Sequence, residues 1–432
     1  MKNKMWKRVA AGVMCSSMIF LTACGSNNQK SVDSGSKDGK DGKRTITWMT
    51  TRSSWKTMDE IAEDYMKQHP DVKIEFERIS DRGSYNQKVQ ILATSKSMPD
   101  LIDGVPEQLR KEIAGAGALV DIDELYKELG YDKALPVGLE YARLSDGKLY
   151  EMAWENNVEY FWYNKSMFEK AGITKEPETF EEFLDVCKKL KDAGYTPISV
   201  FPGWNVSRFL AMIPFRMTGN DFLEGIISGN AKMTDEPGKE AAEFVATLGK
   251  EYFQPGWATS DYSNALETFL SGNAAMYLIG TWQFNSFLDE KGEVKPEYGH
   301  FNMPTLPDSV TAETDMISHA GTGTMVNAEK YDDTLKDFLK FVLAEYPDKA
   351  FWENNVLPAA EFDTGKGEIS EFWKSVLDDS SHIEKFLKPW DVRLNAGPAE
   401  VMLKEQVNLG MGEITPEEFC NRLDEALKAD KQ

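Results

Sequence analysis

The sequence has little of the chemistry that catalysis draws on. Among its 432 residues there are four histidines, His69, His300, His319 and His382. No two of them stand in the HxxxH or HExxH spacing that a hydrolytic zinc site on a helix requires. No G-x-S-x-G elbow is present to hold a nucleophilic serine. Gly321-Thr322-Gly323 is a bare GxG without the third glycine or the helix that a dinucleotide site needs. Cysteine is scarce too: Cys15, Cys24, Cys187 and Cys420. Cys187 and Cys420 fall on amphipathic stretches and read as buried free thiols, with a disulfide between them as the alternative. Carboxylates are the exception, but 71 acidic residues make chance pairs inevitable, so no glycosidase pair stands out. Neither a metal nor a cofactor is expected.

Long apolar runs are equally rare. Residues 9–21 form one, about a dozen residues long and short of the roughly twenty needed to span a bilayer core. Lys2, Lys4, Lys7 and Arg8 precede it and Leu21-Thr22-Ala23-Cys24 closes it. Charge, length and exit fit a secretory signal. The small-small-Cys ending resembles a bacterial lipoprotein signal, which implies residues 1–23 as signal peptide and Cys24 as a lipid-modified mature N-terminus. Acyl chains would then hold the protein on the outer face of the cell membrane without a transmembrane helix. Residues 24–43 carry Val32 as their one aliphatic side chain and read as a disordered tether. The formal net charge of −22 argues against nucleic acid or an anionic membrane surface as partner.

What remains, 44–432, is too long for one simple core and reads as two domains. The spacing predicts a strand at 45–49, a helix at 57–68 with a Thr57/Glu60 capping box, and a strand at 72–76. A helix over 85–94 and a strand at 100–103 follow. Strand alternating with helix is the grammar of an α/β domain with a mainly parallel sheet. Further on, a helix over 179–193 is capped by Thr179 and Glu182 and stopped by Gly194. A strand is expected at 197–200, and the apolar run 274–279 reads as a strand covered on both faces. Helices are expected over 334–343 and over 415–427, the latter with a Thr415/Glu418 capping box.

Tryptophan is what the chain has in quantity, eleven in all. Trp162, Trp352 and Trp373 read as core. Five others, Trp48, Trp154, Trp204, Trp282 and Trp390, stand beside residues that break regular structure or carry hydrogen bonds, as in Trp154-Glu155-Asn156-Asn157 and Trp390-Asp391-Val392-Arg393. A pyranose has an apolar C–H face and a rim of hydroxyls, so its capture needs an aromatic platform with planar polar partners.

Several stretches carry a family resemblance. Residues 163–173 (YNKSMFEKAGI) with 177–183 (PETFEEF), Met98-Pro99-Asp100-Leu101-Ile102, 269–276 (FLSGNAAM) running into Gly280-Thr281-Trp282, and 321–326 (GTGTMV) occur in that order. Together they resemble the extracellular solute-binding proteins of carbohydrate ABC importers, family 1, the maltose-binding-protein-like group. The resemblance implies an α/β, two-lobe periplasmic-binding-protein-like fold with three interlobe crossing segments and a ligand cleft. By position the crossings fall near 156–159, 322–326 and 355–359. Lobe one is then 44–157 plus 327–354, and lobe two 158–321 plus 357–432.

Carried over residue by residue, the resemblance implies ligand contacts at Trp48 and Arg52 after the first strand, Asp103 at a later strand end, and Asn156 and Asn157 at the first crossing. Trp204, Trp282 and Trp390 are the implied lobe-two platforms, with Arg393 as a polar clamp. Where the family often carries a Gly-Gly pair at the second crossing, this chain has Ala320-Gly321-Thr322-Gly323, and Thr322 is the candidate contact. The expected function is capture of a carbohydrate, an oligosaccharide by the number of platforms, by a monomer that delivers it to ABC permease subunits. The rivals are a binder of another solute, such as a polyamine or peptide, and a secreted glycosidase.

Overall fold

The computed structural model describes residues 43–431, all within the second of the two units into which the chain divides, Asp38–Gln432. The expected signal segment and Cys24 lie outside the described residues, as does the tether apart from Lys43. Among the described residues the strands are β1 (Arg44–Thr50), β2 (Val72–Arg78), β3 (Leu101–Asp103), β4 (Asn157–Asn164), β5 (Ile198–Ser199), β6 (Met276–Gly280), β7 (Tyr298–Phe301), β8 (Met316–His319), β9 (Thr324–Val326) and β10 (Phe386–Leu387). They form two sheets. The first runs β2-β1-β3-β9; the second runs β10-β8-β4-β6-β5, with β7 also on β4.

Alternation in the first sheet follows directly from the register. Trp48 pairs with Leu101 and Leu101 with Val326, while Met49 pairs with Ile102 and Ile102 with Met325. Because strand side chains alternate in direction, the two sets take opposite faces. Trp48, Leu101 and Val326 join a core built with the helices Lys56–Gln68 and Asp333–Asn354; Met49, Ile102 and Met325 join one built with Arg82–Thr94. β1, β2 and β3 are parallel, as expected, and β9 returns antiparallel. In the second sheet all five residues of β6 are buried, which explains its unbroken apolar run. Phe161 and Tyr163 of β4 face one core, and Val158, Tyr160 and Trp162 face another.

Helix boundaries show where local signals hold. Thr179 caps Phe180–Asp192 by accepting from the Glu182 N–H, and Glu182 reaches the Glu178 N–H rather than its own cap. The Thr415/Glu418 capping box is present in full. The box expected at Thr57 is not: the helix starts earlier, after Trp55, and Thr57 is buried inside it. The helix expected over 334–343 continues to Asn354, because Tyr346, Pro347, Ala350 and Phe351 extend the buried face. Pro347 removes one internal N–H from that helix, and packing outweighs the loss. Cys187 and Cys420 are both free and buried. Trp162 and Trp373 are core residues; Trp352 is only half-buried, its indole N–H donating to the Asp363 carbonyl.

Three chain segments meet where the sheets adjoin. Residues 154–156 run antiparallel to 357–359: the Asn156 N–H donates to Leu357 O and the Ala359 N–H to Trp154 O, each at 2.9 Å. The third segment is 320–323, between β8 of one sheet and β9 of the other. No helix among the described residues is long and apolar enough to cross a membrane. Trp48→Ala is expected to lower the stability of the fold by about 3–5 kcal/mol in urea denaturation, since it empties a fully enclosed site. An unchanged midpoint would contradict the packing role.

Candidate functional site

The carboxyl ends of β1, β3, β6 and β8 deliver polar and aromatic residues to the junction of the two sheets, the usual place for ligands in open α/β sheets. Arg52, just past β1, donates from Nη1 to Glu155 at 2.6 Å and from Nη2 to the Thr322 carbonyl at 3.2 Å, and its guanidinium lies 4.3 Å over the Trp55 ring. The other Glu155 oxygen accepts from Asn157 Nδ2 at 3.0 Å, and Asn157 Oδ1 accepts from the Thr281 hydroxyl at 2.6 Å. Gly321 closes this knot at φ +64; a Cβ there would lie 2.9 Å from Asn157 Nδ2. Burial works against the Arg52 charge, but the fields of Glu155 and Asp103 outweigh it and hold the guanidinium above its ordinary pKa. The Thr322 hydroxyl accepts from Arg82 at 3.3 Å.

A second group lines the side formed by the second sheet. Trp204 opens the helix Trp204–Thr218, and Trp282 follows β6 in a short 3-10 turn. Their rings meet edge to face at 5.9 Å, and Trp282 lies 5.4 Å from the His319 ring. Both tryptophans keep part of their surface exposed. Beneath them His319 Nε2 contacts Glu159 at 3.1 Å, and the same Glu159 oxygen accepts from Arg208 Nε at 3.0 Å. Arg208 Nη1 then donates to Asp391 at 2.7 Å, and its guanidinium lies 5.2 Å from the Trp204 ring. His319 Nδ1 accepts the Gly321 N–H at 3.0 Å, so Nε2 carries the proton that points at Glu159. Burial pushes Glu159 up, but Arg208 and His319 outweigh it and hold the carboxylate below its usual range.

Other expected contacts are placed differently. Trp48 is 0% exposed, its ring packed by Trp55, Phe76, Trp154 and Phe338, so it offers no face to a sugar. Asp103 is also enclosed; Trp48 Nε1, the Thr50 hydroxyl and the Thr324 hydroxyl occupy its oxygens. Burial raises its pKa to about 6 against the opposing field of Arg52. Trp390 is 3% exposed, within the core and 6.0 Å from Phe222. Asn156 is buried and accepts from the Ser318 hydroxyl at 3.4 Å, tying a crossing segment to β8. Arg393 is a clamp between protein groups. It holds Glu107, on the helix Glu107–Gly115 after β3, together with Glu224 at 2.8 Å on the helix Asp221–Ser228.

Glu155, Glu159, Arg208, His319 and Asp391 were not anticipated. Glu155 and Asp391 lay inside tryptophan clusters already singled out. Arg208 stands four residues after Trp204, on the same helix face, a spacing the sequence does display. Among the described residues no group of three or more His, Cys, Asp or Glu is placed to hold a metal ion.

The family model described as bacterial extracellular solute-binding protein matches residues 51–345. The chain belongs to that family. Among relatives of this solute-binding protein, a Pyrococcus horikoshii protein described as an uncharacterized ABC transporter extracellular-binding protein is 25% identical over 264 residues. That match covers 60% of this chain and 59% of the relative, less than two thirds of its length. The diacetylchitobiose binding protein DasA of Streptomyces coelicolor is 23% identical over 366 residues, 82% of each chain. A solved chitin oligosaccharide binding protein matches with a TM-score of 0.78 at 21% identity, over 90% of this chain and 98% of that one, a likeness of fold. The two-lobe α/β fold expected of this solute-binding protein is therefore the one it has.

The Arg393 bridge has a consequence for pH. Burial pushes Glu107 up, but Lys111, Arg393 and the Ser145 N–H together hold it at about 2, below its ordinary 4.5. A depressed carboxylate pKa adds stability above the unfolded value that is lost as pH falls through the folded one. The stability difference between wild type and Glu107→Gln is thus expected to be largest above pH 4.5 and to shrink towards pH 2. Chemical denaturation at several pH values measures this, and a pH-independent difference would refute it.

Proposed function

We propose that this protein is the substrate-binding component of a bacterial ABC importer, which captures a carbohydrate between two lobes and delivers it to the permease subunits. The reading is carried by one arrangement: the half-exposed Trp204 and Trp282 rings standing over the His319–Glu159–Arg208–Asp391 network. Aromatic faces suit the C–H side of a pyranose, and planar charged groups suit its hydroxyls. Arg52, Asn157 and Thr322 join them as proposed contacts from the crossing segments. Arg52 keeps its Nε–H buried and without a protein partner, so that donor is unspent within the protein. The names of relatives that bind diacetylchitobiose or chitin oligosaccharides support an oligosaccharide as ligand.

The lobes are taken as 44–157 plus 327–354 and 158–321 plus 357–432, closing by rotation about the three crossing segments. No covalent step is involved, and the protein acts as a monomer. Polyamine capture is disfavoured, because the carboxylates of Glu155, Glu159, Asp391 and Glu107 are each already held by an arginine. The extracellular placement is completed by a lipid on Cys24, with residues 24–43 as tether; Cys24→Ser should release the protein from the membrane fraction into the medium.

Thermal shift across sugars, peptides and polyamines tests the ligand class, since a ligand of the native state raises Tm. Trp282→Ala should weaken binding of the best sugar by about 30-fold with an unchanged Tm, as expected for a binding hot spot. Trp390→Ala should instead lower the stability of the fold by about 3–5 kcal/mol. Wild-type affinity in Trp282→Ala by calorimetry, or no response to any sugar, would overturn the assignment.

A further inference from the structure

One aromatic residue at the junction belongs to neither group described above. Tyr141 lies on the short helix Pro136–Ala142, whose seat is set by close packing at Gly138. A Cβ on Gly138 would lie 2.9 Å from Ala359 Cβ and 3.2 Å from Ala153 Cβ, so only glycine lets the helix rest on the 357–359 segment and on Ala153, just ahead of the 154–156 segment. The Leu135 N–H donates to Ala359 O at 2.9 Å, and Ala134 pairs with Ala360, fixing the same end. Tyr141 follows Gly138 by three residues and so shares its helix face. Its ring lies 5.9 Å from His319, whose ring also lies 5.4 Å from Trp282. His319 is held at both nitrogens, by Glu159 and by the Gly321 N–H, and so is a fixed neighbour that both aromatics share.

The Tyr141 hydroxyl has no hydrogen-bond partner among the described residues, and the side chain is only partly buried. Burial, with the charge of Asp391 and against that of Arg208, keeps the phenol protonated at neutral pH. It is therefore an available donor and acceptor beside a ring contact, the two properties a sugar-binding side chain combines.

We propose that Tyr141 is a ligand-contacting, specificity-determining residue, supplying a second ring beside His319 and a hydroxyl for one ligand hydroxyl. Its helix is pinned to the 357–359 crossing segment, so it reads the sugar unit nearest the hinge. This rests on the carbohydrate reading above and adds to it a contact from outside the second sheet.

Calorimetry on wild type, Tyr141→Phe and Tyr141→Ala tests the proposal, with diacetylchitobiose, maltotriose and laminaribiose as probes. Tyr141→Phe keeps the ring and loses the hydroxyl, and should weaken the best probe by about 3- to 10-fold, the worth of one hydrogen bond. Tyr141→Ala should weaken it by about 30-fold or more. Both variants should melt as the wild type does. Wild-type affinity in both variants would overturn the proposal and leave the carbohydrate reading standing. So would a loss confined to Tyr141→Ala that tracks a fall in Tm, since that marks a packing role. A wild-type protein that binds no probe overturns the carbohydrate reading, and Tyr141 as its contact falls with it.

Discussion

Charge carried into the junction of the two sheets has to be matched there, because an ion removed from water without a partner costs several kcal/mol. Arg52 with Glu155, Arg208 with Glu159 and Asp391, and Arg393 with Glu107 and Glu224 are the matches this chain makes. Each pair joins elements distant in sequence. The rest of the site follows from them: Asn157 is oriented by the second Glu155 oxygen, and His319 by the Glu159 oxygen that also holds Arg208. Gly321 is required because no side chain fits against the Asn157 amide at that backbone angle.

The pairing also bears on motion. Each sheet has apolar cores of its own, joined by the helix Asp333–Asn354, whose Phe351 packs in a core of the second sheet, while the charged groups at the junction are paired. Polar contacts exchange for water at small net cost, while apolar cores do not. The polar part of the junction is therefore cheaper to rearrange than the cores of the sheets. The antiparallel pairing of 154–156 with 357–359 keeps two of the crossing segments together as one ribbon.

Aromatic residues divide along the same line. Trp48 and Trp390 complete cores, and Trp204 and Trp282 keep exposed area beside charged partners. All four stand in similar sequence surroundings. The difference is whether a neighbouring element covers the ring. For Trp48 the coverers are Trp55, Phe76, Trp154 and Phe338, which come from four separate stretches of chain.

Local patterning by itself determined the α/β class, half of the described strands, the Thr179 and Thr415 caps and the family, since period, capping and motif order are properties of contiguous residues. The family resemblance, carried over residue by residue, named Arg52, Asn157, Trp204, Trp282 and Thr322 as candidate contacts, and in the structure these stand at the junction of the two sheets. Only the tertiary structure decided that Trp48, Asp103 and Trp390 are enclosed and that Arg393 holds two glutamates. It alone brought Glu159, Arg208, His319 and Asp391 into one network. Burial and charge pairing are set by residues far apart in the chain, and no window of sequence contains both partners.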